Sequence, residues 1–365
     1  MPVKLRRAHI SRFKGLKEVD LNLVGPDGEP RHKILILGDN GSGKTTVLQA
    51  VGLVIGMATR RVRSPEEFPW YGFIAERIGS LGQTRVEVEV QFDDDEIQAT
   101  QELCHVCRRI LPAEETAKWV NPGSYQTVTL VYDRGEVSSP QGVSAKMQFL
   151  GRYYLKRVLG VRPELREAFA RVGDVFWFDQ FRNLGVAAAH EAGSTLDGWT
   201  AGVEQLRGYL VGWWSHHLSK QRNGRSTVRD YIVPLEQKMA TVFPGFRFAG
   251  TEPREGVENP RPENYFVLAE REGCPVPYDI AEMSSGEQGV FPLAYEITRL
   301  EIARSIVLLD ELELHLHPPE QQALWAALTE LAPDCQFIVT SHSRYLDDIV
   351  PEELKFRLRG GRLCL

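Results

Sequence analysis

Residues 33–46 read Lys33-Ile34-Leu35-Ile36-Leu37-Gly38-Asp39-Asn40-Gly41-Ser42-Gly43-Lys44-Thr45-Thr46, and this stretch decides the fold. Lys33–Leu37 is a short apolar run of the kind that suits a buried parallel strand. Gly38–Thr45 fits G-x-x-x-x-G-K-[ST] with no departure. A helix is expected from Lys44 to Ala58. The strand before and the helix after separate a phosphate-binding loop from a chance glycine-rich turn. The glycines let backbone N–H groups close around phosphate oxygens, and a helix N-terminus adds a dipole favourable to negative charge. Gly38, Asn40, Gly41, Gly43, Lys44, Thr45 and Thr46 are therefore the expected nucleotide contacts. Lys44 is expected to reach the β- and γ-phosphates, and the Thr45 hydroxyl to ligate Mg²⁺.

Three further motifs follow in the C-terminal third. Ile306-Val307-Leu308-Leu309-Asp310-Glu311 is an apolar strand ending in two carboxylates. Asp310 is placed to meet the Mg²⁺ shell and Glu311 to polarise an attacking water. In isolation such an ending is mostly structural; with a phosphate loop upstream the hydrolytic reading is the stronger. Ser284-Ser285-Gly286-Glu287-Gln288 precedes a predicted helix. Its plain reading is N-cap chemistry; its sharper reading is a second phosphate-binding helix tip. Phe337–His342 is an apolar strand ending in a histidine. That strand is expected beside the phosphate-loop strand, which puts His342 near a γ-phosphate or the lytic water. Strands alternating with helices here imply a parallel sheet with crossovers.

In this order the four motifs resemble the ATP-binding-cassette ATPase heads of the SMC, RecF and OLD group. LLDELELHLHPPEQQ followed by IVTSHS is most similar to the OLD and RecF-like ATPases of bacteria. The resemblance covers about residues 1–60 and 265–350. It implies an α/β fold: a phosphate-loop NTPase head with a mixed central sheet, an N-terminal antiparallel β subdomain and a helical lobe. It implies ATP and Mg²⁺ as ligands and a homodimer closed through ATP. Ser284 and Gly286 would contact the γ-phosphate held by the other copy. Gln180, in Phe178-Asp179-Gln180-Phe181, would stand on the Mg²⁺ and water with Thr45 and Asp310. His315 to His317 would lie across the dimer, His342 would be the switch histidine, and Arg12 would help hold the nucleotide. Leu312 stands where the family usually has proline, and the signature reads Ser-Ser-Gly rather than Ser-Gly-Gly.

The rest of the chain sets limits. It has 365 residues, 42% hydrophobic and 25% charged, with a net charge of −6. That is ordinary globular composition, so any nucleic-acid contact must use local basic patches. Arg60, Arg61 and Arg63 form one such cluster; Lys220, Arg222, Arg225 and Arg229 form another. Double-stranded DNA contacts there would be salt-dependent and sequence-blind; the alternative is a solvated helix face. Trp213 and Trp214 beside the second cluster are alternatively a partner surface. No apolar run is long enough to cross a membrane and no secretory signal opens the chain. Five cysteines suit a reducing cytoplasm. Cys104 and Cys107 give half a tetrahedral zinc site, or else two half-buried thiols on a helix turn. The expected organisation is an N-terminal lobe over 1–190 with an insertion at about 93–125, a helical lobe or short arm over 191–264, and a C-terminal lobe over 265–365.

About 240 residues separate the phosphate loop from the signature without a sustained heptad, so no long coiled-coil arm is expected. About 23 residues follow His342, so a nuclease domain of the OLD kind is expected on another chain. The function expected is that of an ATP hydrolase that dimerises on ATP and couples that switch to DNA or to an effector protein, in bacterial anti-phage defence or DNA repair. The alternative is an ATP-gated sensor or scaffold that holds and releases a toxin or nuclease without touching DNA.

Overall fold

The computed structural model describes residues 3–180, 198–223, 229–273 and 276–358. They divide into two compact units.

The first unit takes the chain up to Gln180, Ile302–Leu312, and the chain from Ala332 onward. Its strands segregate by direction. Lys33–Leu37, Val175–Phe178, Ile306–Leu309, Gln336–Ser341 and Lys355–Arg357 form one sheet in which every pairing is parallel. Lys4–Phe13, Leu16–Asn22, Arg85–Gln91, Thr127–Asp133 and Glu136–Ser138 form a second, antiparallel sheet. The mixture of strand directions thus lies between two sheets. Lys4–Phe13 and Leu16–Asn22 form a hairpin that turns at Lys14-Gly15, and Arg85–Gln91 pairs with Thr127–Asp133.

The helix Lys44–Ala58 lies between these sheets, touching strands of both. It buries 12 of its 15 residues, which is why its sequence is apolar on all sides rather than along one stripe. At Gly52 the helix packs close against its neighbours. A Cβ there would stand 3.1 Å from Leu308 and 3.2 Å from Phe68. The strand Gln336–Ser341 runs beside Lys33–Leu37, as expected, with Ser341 level with Leu37. The residues following these two strands, His342 and Gly38, therefore leave the sheet at the same end.

The second unit holds the helices Gly198–Asn223, Ile232–Val242, Ser285–Arg299 and Pro318–Leu331. A three-stranded antiparallel sheet accompanies them: Arg247–Pro253, Tyr265–Glu270 and Tyr278–Asp279. The first of these strands falls where composition reads as a loop (residues 244–264). Its residues, RFAGTEP, include Gly and Pro and have poor strand propensity. Pairing with Tyr265–Glu270 supplies what propensity lacks, and a register shift at Phe248/Gly250 absorbs the glycine, whose φ is 150°. A buried ion pair pins helix to sheet: Arg207 Nη1 donates to Asp279 Oδ2 at 2.7 Å and to the Tyr265 carbonyl at 3.0 Å.

Candidate functional site

Each unit carries one glycine- and hydroxyl-rich helix tip, and the first unit adds the carboxylates.

Gly41 and Gly43 have φ of 79° and 94°, a backbone conformation that side chains rarely adopt. This arches residues 38–43 around the start of the helix. Gly38 is held just as tightly, since a Cβ there would lie 2.5 Å from Ser42 Oγ. The helix start has no side-chain cap, so its first N–H groups are available to an outside acceptor. Lys44 is buried, and its Nζ donates to the carbonyls of Gly38 (2.8 Å) and Asp39 (3.1 Å), spanning the loop. Asp39 and Asn40 are exposed; Thr45 and Thr46 are half-buried. Backbone donors, a spanning ammonium and an adjacent hydroxyl are a donor set that fits a nucleotide's phosphates.

The Thr45 hydroxyl meets the carboxylate strand. Its Oγ1 donates to Asp310 Oδ1 and Oδ2 at 3.1 and 2.9 Å. Thr340 donates to Asp310 Oδ1 at 2.5 Å, and its oxygen accepts from the Glu311 N–H at 2.9 Å. Sequence reasoning passed over Thr340; the only signal was a hydroxyl residue near the end of an apolar parallel strand. Asp310 is 1% exposed, and burial pushes its carboxyl up to about 6. The neighbouring Glu311 and Asp179 charges add to this, and the two threonine hydroxyls oppose it. Such a carboxyl suits a divalent cation, whose charge would favour the ionised form. Glu311 sits at φ 48°, a left-handed position that costs a non-glycine residue about 1 kcal/mol or more. That kink turns the chain out of the strand directly after Asp310.

The strand Val175–Phe178 ends beside these carboxylates. Phe178 is level with Leu309, and its carbonyl accepts from Asp310 N–H at 2.9 Å. Half-buried Gln180 therefore follows the adjacent strand tip by two residues. On the other side, exposed His342 lines a cavity of about 360 Å³ together with Gly38 and Asp39 of the phosphate loop, and with Arg344 and Asp347. Arg12 is exposed at the end of its strand with φ 53°. Nearby Lys14 Nζ donates to Gln49 Oε1 at 2.9 Å, which sets the hairpin bend against the phosphate-loop helix.

In the second unit, Ser284 caps the helix Ser285–Arg299 through a reciprocal box. Glu287 N–H donates to Ser284 Oγ (3.3 Å), while Glu287 Oε2 accepts from the Ser284 N–H (2.9 Å) and hydroxyl (2.7 Å). Tyr278 also donates to Glu287, at 2.6 Å. Ser284 and Ser285 are exposed, and Gly286 is buried against Glu320, whose carboxylate a Cβ would meet at 2.7 Å. The His315–His317 turn presents both histidines to solvent, with His315 at φ 64°.

The remaining expectations divide. Arg61 is committed to packing: its guanidinium lies over Phe176 and Trp177 and 3.5 Å from Asp174. Arg60 is exposed and stacks over Tyr153, and Arg63 is exposed. Lys220 and Arg222 are exposed on their helix, Arg229 is bonded to Glu301, and Arg225 lies outside the described residues. Trp213 is stacked between Tyr231 and Tyr295 within its unit. Cys104 and Cys107 are more buried than expected. Both lie on the helix Asp94–Ile110 in an apolar cluster, while His105 is exposed. Burial pushes the Cys107 thiol up to about 12, and its Sγ donates to the Tyr154 carbonyl at 3.2 Å. Zinc needs thiolates, so this geometry supports the buried-thiol alternative. Among the described residues no cluster of three or more His, Cys, Asp or Glu is arranged to hold a metal ion, and no helix is long and apolar enough to cross a membrane.

The parallel sheet, the phosphate loop at the C-terminal end of its strands and the Thr45–Asp310–Thr340 knot beside it define an ATPase head of the ATP-binding-cassette type. The chain belongs to the RecF/RecN/SMC N-terminal domain family, whose model matches residues 4–352. It is similar to the Retron Vc95 probable ATPase of Vibrio cholerae serotype O1 biovar El Tor, with 22% identity covering 96% of this chain and 73% of that protein. It is also similar to the OLD nuclease of Thermus scotoductus, with 25% identity covering 94% of this chain and 60% of that one. Among solved structures, an Smc head bound to the C-terminal winged-helix domain of ScpA shares the fold, with a TM-score of 0.50 and 14% identity over 94% of this chain and 90% of that one.

Proposed function

We propose that this head binds and hydrolyses ATP with Mg²⁺, closes on a second copy when ATP is bound, and uses that closure to control DNA or an effector protein. The observation that carries the reading is the contact between Thr45 of the phosphate loop and Asp310 of the carboxylate strand. It brings a phosphate grip and a cation site together. Lys44 and the N–H groups of the loop hold the phosphates; Thr45, Asp310 and Gln180 hold the metal. Bound Mg²⁺ supplies charge stabilisation on the phosphoryl oxygens. Glu311 accepts the proton of the attacking water, and His342 fixes that water or the γ-phosphate. Arg12 steadies the nucleotide from the hairpin. Ser284 and Gly286 meet the γ-phosphate of the partner copy, so neither copy hydrolyses efficiently alone, and His315 to His317 line the same interface.

The relatives suggest the setting. A retron ATPase and an OLD nuclease point to anti-phage defence or repair. Exposed Arg60, Arg63, Lys220 and Arg222 are the DNA candidates. Arg61 is packed within the protein and Arg229 is paired with Glu301, and this favours a second reading: an ATP-gated scaffold that holds and releases an effector without DNA. Stimulation of ATPase turnover by double-stranded DNA separates the two. A salt-sensitive increase supports the first, and flat turnover with a co-purifying effector supports the second.

Two variants test the core of the proposal. Glu311→Gln should bind ATP, run as a dimer on a sizing column with ATP and Mg²⁺, and turn over about 100-fold more slowly, on the scale of lost general-base catalysis. Full turnover in this variant would remove Glu311 from its role. Ser284→Arg should keep ATP binding to each copy but stay monomeric with ATP. A dimer in that variant would sink the shared-site arrangement.

A further inference from the structure

The strand Val175–Phe178 ends level with Ile306–Leu309, so Asp179 and Asp310 leave neighbouring parallel strands side by side. Both are buried, at 2% and 1% exposure. Asp179 Oδ2 accepts from the backbone N–H of Tyr71 at 3.2 Å. Tyr71 belongs to a segment whose flanks are fixed in the core. Phe68 and Trp70 are buried, and the Phe68 ring lies 4.9 Å from Trp177 and 5.0 Å, edge-on, from Phe73. The Tyr71 side chain is itself half exposed, and the backbone N–H of this segment engages the strand tip. One step past the last ladder pair, a strand loses the hydrogen bonds that set its direction. Asp179 replaces them with a side-chain bond to a rigid neighbour.

We propose that Asp179 is a positioning residue, clamping the strand tip to the Phe68–Phe73 segment so that Gln180 is presented toward Asp310 and Glu311. This rests on the reading of Gln180 and Asp310 as holders of Mg²⁺. Asp179 does not touch the nucleotide. Its effect is on how well the metal is held, and it reaches the phosphates only through the metal. The clamp needs an acceptor oxygen at this position, which asparagine retains and alanine lacks.

The test uses the Glu311→Gln protein, which should bind ATP while turning over slowly, and follows a fluorescent ATP analogue while Mg²⁺ is titrated. Adding Asp179→Ala should raise the Mg²⁺ concentration at half-saturation about tenfold, the scale of one lost hydrogen bond. Nucleotide affinity without Mg²⁺ should not change, whereas a general loss of structure would lower both. Asp179→Asn, which keeps an acceptor for Tyr71, should stay within about twofold of the parent. Two results overturn the clamp: an Asp179→Ala curve that matches the parent, or an Asp179→Asn curve shifted about tenfold, which would make charge the operative property. If the alanine variant does not fold, an asparagine curve shifted about tenfold still overturns the clamp. A parent that binds nucleotide without any response to Mg²⁺ sinks the metal reading and the clamp together; a responsive parent with an unshifted alanine variant sinks only the clamp.

Discussion

The helix Lys44–Ala58 starts after Gly43, which has no side chain and leaves the first N–H groups uncapped, whereas the helix Ser285–Arg299 starts after Ser284, which trades hydrogen bonds with Glu287. Each tip also has a hydroxyl on a buried carboxylate. At the first tip Thr45 donates to Asp310, which comes from a different strand more than 250 residues away. At the second, Ser284 donates to Glu287 of its own first turn. A tip that leaves its donors unsatisfied needs an outside anion, and one paired with a distant carboxylate is suited to a cation as well. A tip that satisfies itself is stable alone and has less to gain from an anion. The phosphate-loop tip should therefore provide most of the affinity for ATP, and the signature tip should add to it only when a second copy brings it in.

The largest break of this comparison is Lys44→Ala. It removes the ammonium that spans the loop, and charge-assisted hydrogen bonds of this kind are worth about 1.5–3 kcal/mol each. ATP binding should weaken about 100-fold, equivalent to about 2.7 kcal/mol. Equilibrium binding of a labelled nucleotide measures it; a change of only a few fold would mean the signature tip carries the affinity.

Asp310→Asn probes the acid at the first tip. Its carboxyl stands at about 6 against an ordinary 3.8, so the folded chain holds the proton more tightly than the unfolded chain. Its contribution to stability is therefore intact below about pH 4, is lost as pH rises to about 6, and stays lost above. Asparagine carries no charge to bury. Without nucleotide the variant should be more stable than the parent above pH 6, by up to about 3 kcal/mol, and the gap should close near pH 4. Mg²⁺ and ATP should reverse the ranking, because only the parent gains from the cation. Thermal melts across pH 4–8 with and without Mg²⁺·ATP read this directly, and equal melting at pH 8 would contradict it.

The two tips were not equally open to sequence reading. Gly41, Gly43, Lys44 and Thr45 act through local geometry: glycines at positive φ and a helix start. The run of types alone therefore reveals them. Asp310 and Glu311 were legible as the end of an apolar strand. Thr340 and Asp179 were not, because their role comes from lateral register between strands far apart in the chain, which no local pattern records. The strand Arg247–Pro253 was hidden for the same reason: its partner, not its composition, makes it a strand. Cys104 and Cys107 show the opposite case. Their spacing looks like a ligand pair, but the helix that carries them turns both inward and turns His105 outward.

The smallest effect tests whether the self-cap at the second tip competes with phosphate. Glu287→Gln can keep the hydrogen-bond pattern. Its carbonyl oxygen can accept from the Ser284 N–H and hydroxyl, and Tyr278 can turn its hydroxyl to accept from the new amide. What is lost is the charge, both in those bonds and at the helix N-terminus, where a carboxylate is worth about 0.3–1 kcal/mol. The free protein should be destabilised by about 1 kcal/mol. The same charge would repel a γ-phosphate brought to Ser284 and Gly286. Its removal should lower the ATP concentration needed for half-dimerisation about threefold, which is less than 1 kcal/mol. Stability and dimerisation should thus move in opposite directions, a split that simple damage to the helix would not give. If dimerisation weakens along with stability, the Glu287 carboxylate helps present the serines and the tip is built for phosphate even while it caps itself.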